Sequence, residues 1–145
     1  MDRLATLVET VEIQIDSMND RRRAYSFLVN PFGVQWDAIW TEGQGFDSSW
    51  DTVWQSRARL TDRGYVAWMA IPFKSLRFSP EKEQEWGLIL VRWIRRNNEG
   101  SFWPYVTSRV EGRLNQEGRL RGISDVSPGR NLQLIPYGFF RSFRA

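Results

Sequence analysis

The stretch Val11-Glu12-Ile13-Gln14-Ile15-Asp16 puts Val11, Ile13 and Ile15 on one side of an extended chain and Glu12, Gln14 and Asp16 on the other. Successive side chains of a strand point to opposite faces, so this period of two predicts a half-buried strand. Ser17-Met18-Asn19-Asp20 then turns the chain, with Asp16 and Asp20 building the turn. The alternation resumes with Tyr25, Phe27 and Val29 on one face. Asn30-Pro31-Phe32-Gly33 supplies the next turn through proline's fixed φ and glycine's tolerance of positive φ. A third strand over Val34 to Trp40 completes an antiparallel meander.

Downstream, Thr41 to Ser49 is glycine-rich and polar and reads as a long loop. Trp50 to Leu60 alternates again, with Trp54, Ser56, Ala58 and Leu60 on one face. Thr61-Asp62-Arg63-Gly64 closes a hairpin onto Tyr65–Ile71, and Pro72 ends that strand because it has no amide donor. A single helical turn fits Lys74 to Phe78. Trp86 to Ile94 is almost continuously apolar, the pattern of a central strand covered on both faces. Arg95 to Ser101 reads as polar loop, Trp103 to Val110 as a strand, Asn115 to Gly118 as a turn and Leu132 to Tyr137 as a last strand. About seven or eight short strands, with turns roughly every 8 to 12 residues, predict an all-β antiparallel sandwich of jelly-roll type.

The chain has 145 residues with neither cysteine nor histidine. Disulfides, thiolate and imidazole metal sites, and Ser-His or Cys-His nucleophile pairs are therefore excluded. Of the 20 basic residues 18 are arginine, which favours planar ion pairs and stacking. The clusters Arg21-Arg22-Arg23, Arg92/Arg95/Arg96 and Arg141/Arg144 read as paired surface charge. With 17 interspersed acidic residues and no recognition motif, nucleic acid is not an expected partner. Nothing approaches the length of an apolar helical span, and Met1-Asp2-Arg3-Leu4 does not open a signal peptide.

Three ordered stretches carry a resemblance. They are Val11–Asp16 with Asn19–Arg22 and Ala24–Phe27; Asn30-Pro31-Phe32-Gly33-Val34-Gln35-Trp36-Asp37; and Ala70-Ile71-Pro72-Phe73 with Leu76-Arg77-Phe78, Trp86-Gly87 and Arg92. Together they resemble the family 9-like carbohydrate-binding domain. Arg95-Arg96-Asn97-Asn98-Glu99 with Trp103, and Pro128–Leu132 with Ile135-Pro136-Tyr137, look more narrowly like a bacterial group in which this domain precedes a C-terminal outer-membrane β-barrel region. The likeness spans roughly residues 8 to 137. It departs from the family in two respects: the family's opening Asp-Gly segment, early Trp and first strand pair have no counterpart, and Trp68 stands where an acidic residue is usual. The resemblance implies a family 9-like domain over 1–125, incomplete at the N-terminus, and a linker with the start of a following region over 126–145. It also implies an extracytoplasmic setting, in the periplasm or at the outer membrane. The module would be non-catalytic, would bind oligo- or polysaccharide, and would belong to a parent linked to glycan breakdown or uptake and to hydrolysis of O-glycosyl compounds. The competing readings are an interaction or plug-like domain packing on its own C-terminal barrel, and a glycoside hydrolase.

Sugars are held by stacking on aromatic rings and by hydrogen bonds to planar polar groups, so an aromatic beside Asp, Asn, Arg or Gln is the feature sought. Trp36, Trp40, Trp50 and Trp54 surround the 41–49 loop with Asp37, Asp47 and Asp51, and Trp103-Pro104-Tyr105 follows Asn97, Asn98 and Glu99. The candidate ligand-binding residues are Trp103, Trp40, Trp50, Asp47 and Asn98; the bland alternative makes each tryptophan a core residue, as Trp54 and Trp86 are expected to be. The resemblance favours Trp103, because the family carries a sugar-stacking Trp after its central Arg-containing strand. Asp37, Asp47 and Asp51 are read as turn formers before a glycosidase pair, and no catalytic residue is assigned. No cofactor or metal ligand is assigned either, with calcium on the acidic loop as the alternative. Arg92, in an apolar strand, needs a carboxylate, and Glu12 or Glu99 is the expected one.

Overall fold

A computed structural model describes residues 9–127 together with Gly129, Pro136 and Gly138. Apart from Pro136, the expected strand over 132–137 lies outside these residues, as do Phe139, Phe140 and Phe143. The strands are β1 (Thr10–Asp16), β2 (Arg23–Val29), β3 (Gln35–Thr41), β4 (Gly45–Asp47), β5 (Gln55–Thr61), β6 (Gly64–Ala70), β7 (Glu83–Ile94), β8 (Glu99–Trp103) and β9 (Gly118–Ser124). Among the described residues the helical content is confined to short 3-10 turns. Every strand pairing is antiparallel, and the architecture is an all-β, two-sheet sandwich.

The larger sheet runs β4-β3-β2-β1-β7. One edge of β7 pairs with β1, and its other edge pairs with β9 over its first half and β8 over its second. The smaller sheet is the β5–β6 hairpin. Register places Ile13 beside Phe27 and Leu90, and Ile15 beside Tyr25 and Leu88, so these residues share one face. On that face Ile15, Phe27 and Trp86 form a core with Trp54, Leu76 and Phe78, closed over by Met69 and Ile71 of the hairpin and its exit. Trp86 donates its indole N–H to Gln84 Oε1 at 3.0 Å and meets Phe73 and Phe78 at 5.7 and 5.3 Å between ring centres. The indole's one polar atom is thus satisfied while its carbon surface is sealed.

The opposite face corrects the reading of β1 as half-buried. Glu12, Gln14 and Asp16 are 3%, 1% and 1% exposed, because residues 104–117 cross the large sheet on that side. Leu114 is fully buried there with Ala24, Ile89 and Val91, and its amide donates to Glu42 Oε1 at 2.6 Å. As expected of the central strand, β7 buries Trp86 on one face and Ile89 and Val91 on the other.

Further boundaries shift. The strand expected over 103–110 is instead β8, ending at Trp103, since Pro104 has no amide with which to extend the ladder. Asn98 adopts the left-handed conformation at φ 52°, closing a tight turn, so the expected 95–101 loop is the connection and start of a β7–β8 hairpin. The 41–49 loop contains β4, and the segment before β5 becomes strand only at Gln55. Leu60, on the same face as Trp54 in the alternation, is 60% exposed at the end of the β5–β6 hairpin. Arg92 pairs with Glu9 at 3.4 Å rather than with Glu12 or Glu99.

Truncating Trp86 removes the centre of the first core. Trp86→Ala is expected to cost about 3–5 kcal/mol in urea unfolding, whereas Trp68→Ala, at a half-exposed position, should stay within about 0.5 kcal/mol.

Candidate functional site

Trp40 and Trp50 flank the 41–49 segment in sequence but serve different faces. Trp40 lies on the face crossed by 104–117. The Arg113 guanidinium sits 4.1 Å from its ring centre and Phe46 meets it edge-on at 4.8 Å, so its surface is occupied from within. Asp47 is exposed and accepts from the Ser49 hydroxyl and amide at 2.6 and 2.9 Å, which hold its carboxyl below the usual range. Asn98 is the left-handed turn residue described above. Both are turn formers in their present contacts.

Asp37 accepts from the Trp54 indole at 3.0 Å and the Thr52 amide at 3.4 Å. Burial raises its pKa, opposed by these two bonds. It therefore pins the 50–54 segment against β3, which leaves Trp54 in the core, as expected, and brings Trp50 to the sheet's end. Among the described residues no group of three or more acidic side chains is placed to hold a metal ion.

Trp50 and Trp103 are the two candidates that present ring surface. Trp103 is 54% exposed, and its ring overlies Gly118, where a Cβ would come within 3.0 Å of it. It stands beside Leu90 across the ladder and shares with Tyr65, Ala67 and Arg92 an open, mainly apolar recess of about 480 Å³. Trp50 sits three strands away, against Tyr25 at 5.0 Å and 47° and Phe27 at 5.9 Å and 75°. The row Trp103, Leu90, Ile13, Phe27 lies between them, so about 14 Å of sheet separates the two places. They do not form one groove.

Around Trp50 the sequence converges from three segments. The β1–β2 turn brings Asp20 and Arg22, and the start of β2 brings Arg23 and Tyr25; the stretch after β6 brings Lys74 and Arg77; Trp50 forms the wall between. Two adjoining clefts of about 600 and 350 Å³ share Tyr25, Trp50 and Arg77. The frame is fixed by backbone contacts: the Arg77 amide donates to the Tyr25 hydroxyl at 3.1 Å, and the Ser17 hydroxyl donates to the Arg77 carbonyl. Asp16, buried beneath the turn, accepts from the Arg21 amide at 2.7 Å and the Asp20 amide at 3.4 Å. Tyr25, Lys74 and Arg77 were not among the sequence candidates. Their only prior signal was the Arg21-Arg22-Arg23 run immediately before an alternating aromatic strand.

The face under 104–117 holds a second polar assembly. Glu12 accepts from Gln14 at 2.7 Å, Ser26 at 2.6 Å and the Trp93 indole at 2.9 Å. Burial lowers the pKa of Arg113, while the charges of Glu12 and Glu42 support it. At the other end Glu117 bonds Arg119 at 2.8 Å with a side chain only 1% exposed. Its carboxyl is raised to about 7, first by burial and then by Asp16, against Arg119 and Arg21. This layer is closed off by chain and closes the fold rather than presenting a surface.

Comparison with protein-family models, curated proteins and solved structures finds no match. Among the described residues no helix is long and apolar enough to cross a membrane.

The Glu117 geometry sets a pH dependence. The folded chain holds this proton more tightly than the unfolded chain does. The associated stability is therefore full below about 4.5 and is lost as pH rises through about 7. Glu117→Gln, which cannot ionise, should flatten that decline, and urea unfolding at about pH 8 should show it more stable than the parent by about 2 kcal/mol, with little difference at about pH 5.

Proposed function

We propose that this domain is a non-catalytic carbohydrate-binding module, and that Trp50 and Tyr25 form the aromatic wall of its site. The observation that carries this reading is an aromatic corner lining an open cleft whose rim supplies planar guanidinium groups and a carboxylate. An indole face takes the apolar C–H face of a sugar, while the second ring, tilted at 47°, limits how the sugar can lie. Asp20, Arg22, Arg23 and Arg77 are then within the same cleft to bond hydroxyl groups. On this proposal the module belongs to an exported bacterial protein engaged in glycan breakdown or uptake and serves to hold its chain on polysaccharide.

A second reading is favoured by a different observation. Leu90 and Trp103, 42% and 54% exposed, line a mainly apolar recess with Tyr65 and Ala67 of the hairpin. That surface suits a domain that packs on a β-barrel region of its own protein and binds no sugar.

A glycan array followed by calorimetric titration of the full chain separates the readings. Trp50→Ala should weaken the selected oligosaccharide about tenfold or more, from a stacking contact of about 1–3 kcal/mol, while Trp103→Ala leaves affinity within about twofold. Trp50→Phe, which keeps an aromatic against Phe27, should retain most binding and guards against a folding effect. Loss on Trp103→Ala alone would move the platform to β8, and a full chain that binds no glycan leaves the packing reading.

A further inference from the structure

We infer that the Trp50 cleft takes an acidic sugar chain, one bearing carboxylate or sulfate groups, in preference to a neutral one; this rests on the carbohydrate-binding reading above. Four cationic side chains, Arg22, Arg23, Lys74 and Arg77, line the two adjoining clefts against the single carboxylate of Asp20. The whole chain has 20 basic and 17 acidic residues, so the local imbalance is not a reflection of composition.

Among the described residues these cations are not engaged elsewhere. None of the four makes an ion pair with a described residue, whereas Arg92 and Arg96 share Glu9, and Arg119 and Arg121 share Glu85. Two acidic groups of the β1–β2 turn are already used by the turn that carries the arginines. Asp16 is turned inward onto the Arg21 amide, and Asp20 accepts from the Arg22 amide at 2.9 Å. A guanidinium presents paired N–H donors that match a carboxylate or sulfate in two-point geometry, which hydroxyl groups cannot equal. Two rings beside such donors therefore fit a ligand that is at once a sugar and an anion.

Single-stranded nucleic acid uses the same two kinds of contact, but along an extended basic track with successive rings. Here the aromatic corner is one pair of rings in a bounded cleft of about 600 Å³, in the range of small-ligand sites.

The test titrates the full chain with tri-galacturonate, its methyl ester, and a single-stranded DNA oligonucleotide. The methyl ester keeps the sugar ring and removes the charge. Binding of the acid about tenfold tighter than the ester is expected, narrowing as salt rises from about 0.02 to about 0.5 M, because exposed charges are screened. In the Arg22→Gln/Arg23→Gln variant the acid-to-ester ratio should fall toward one. Arg59→Gln, on the outward side of the β5–β6 hairpin, should leave the ratio unchanged. Equal binding of acid and ester, lost on Trp50→Ala, would overturn the charge preference while keeping the carbohydrate site. Absence of binding to every saccharide would overturn both. DNA binding as tight as the acid's, insensitive to Trp50→Ala, would replace both with a general polyanion surface.

Discussion

The Glu12 carboxylate is 3% exposed, and its two oxygens are taken by donors from three strands: Gln14 on β1, Ser26 on β2 and Trp93 on β7. Withdrawing a carboxylate from water costs several kcal/mol unless its oxygens are met, so these three bonds must form together or the charge is stranded. They form only in the observed register, with Gln14 opposite Ser26 and Glu12 opposite Val91. A slip of one residue in β1 would turn Glu12 into the Phe27 and Trp86 core and bring Ile13 and Ile15 into the polar layer. Apolar contacts would tolerate many arrangements of similar volume; the carboxylate does not. It thereby fixes the order β2-β1-β7, the centre of the larger sheet.

That constraint reaches the proposed site through the next turn. Asp16, on the same face of β1 as Glu12, is held under the β1–β2 turn and accepts from the amides that reverse the chain. Its geometry decides where Arg22 and Arg23 emerge and where β2 begins, hence where Tyr25 points. Tyr25 then receives the Arg77 amide, which docks the stretch after β6. From Asp16 a chain of direct contacts leads through the turn to Tyr25 and Arg77, while Asp37 holds the segment that carries Trp50. The site's positions are therefore tied to the core, while its cationic side chains extend into solvent.

How much of this could be read beforehand follows from what each interaction depends on. Period-two alternation and unbroken apolar runs both depend on neighbours in sequence; the first located β1, β2 and the β5–β6 hairpin, the second β7, and turn signals placed β3 between them. The burial of Glu12, Gln14 and Asp16 depends on residues 104–117 crossing back about a hundred positions later, and their polar character gave no sign of it. Of the candidate residues, Trp50 and Trp103 present ring surface, while Trp40, Asp47 and Asn98 are occupied by Arg113, by Ser49 and by a left-handed turn. Loop tryptophans look alike in sequence; whether a ring faces ligand or arginine is set by which distant segment arrives beside it. Tyr25 and Arg77 escaped notice for that reason, since they meet across 52 residues.

The two layers are unequal, and that inequality accounts for both open places. A sheet of seven strands is faced on one side by a hairpin and short loops, which seal Ile15, Phe27 and Trp86 but leave Leu90 and Trp103 exposed and Tyr25 and Trp50 half-buried. At the β8 end, the strands supply Leu90 and Trp103, whose exposed surface is mainly hydrocarbon. Toward β2 and β3, polar turns supply the rim, and half-buried aromatic surface is joined by charge. Arg92 shares the recess at the β8 end but is already paired with Glu9, whereas the cations around Trp50 make no ion pair with a described residue. Rings flanked by directed donors distinguish among partners, because a ligand lacking acceptors at those positions would strip water from the guanidinium groups without replacing it. The Trp50 end therefore combines ring surface with directed donors, the pairing that the proposed sugar site requires.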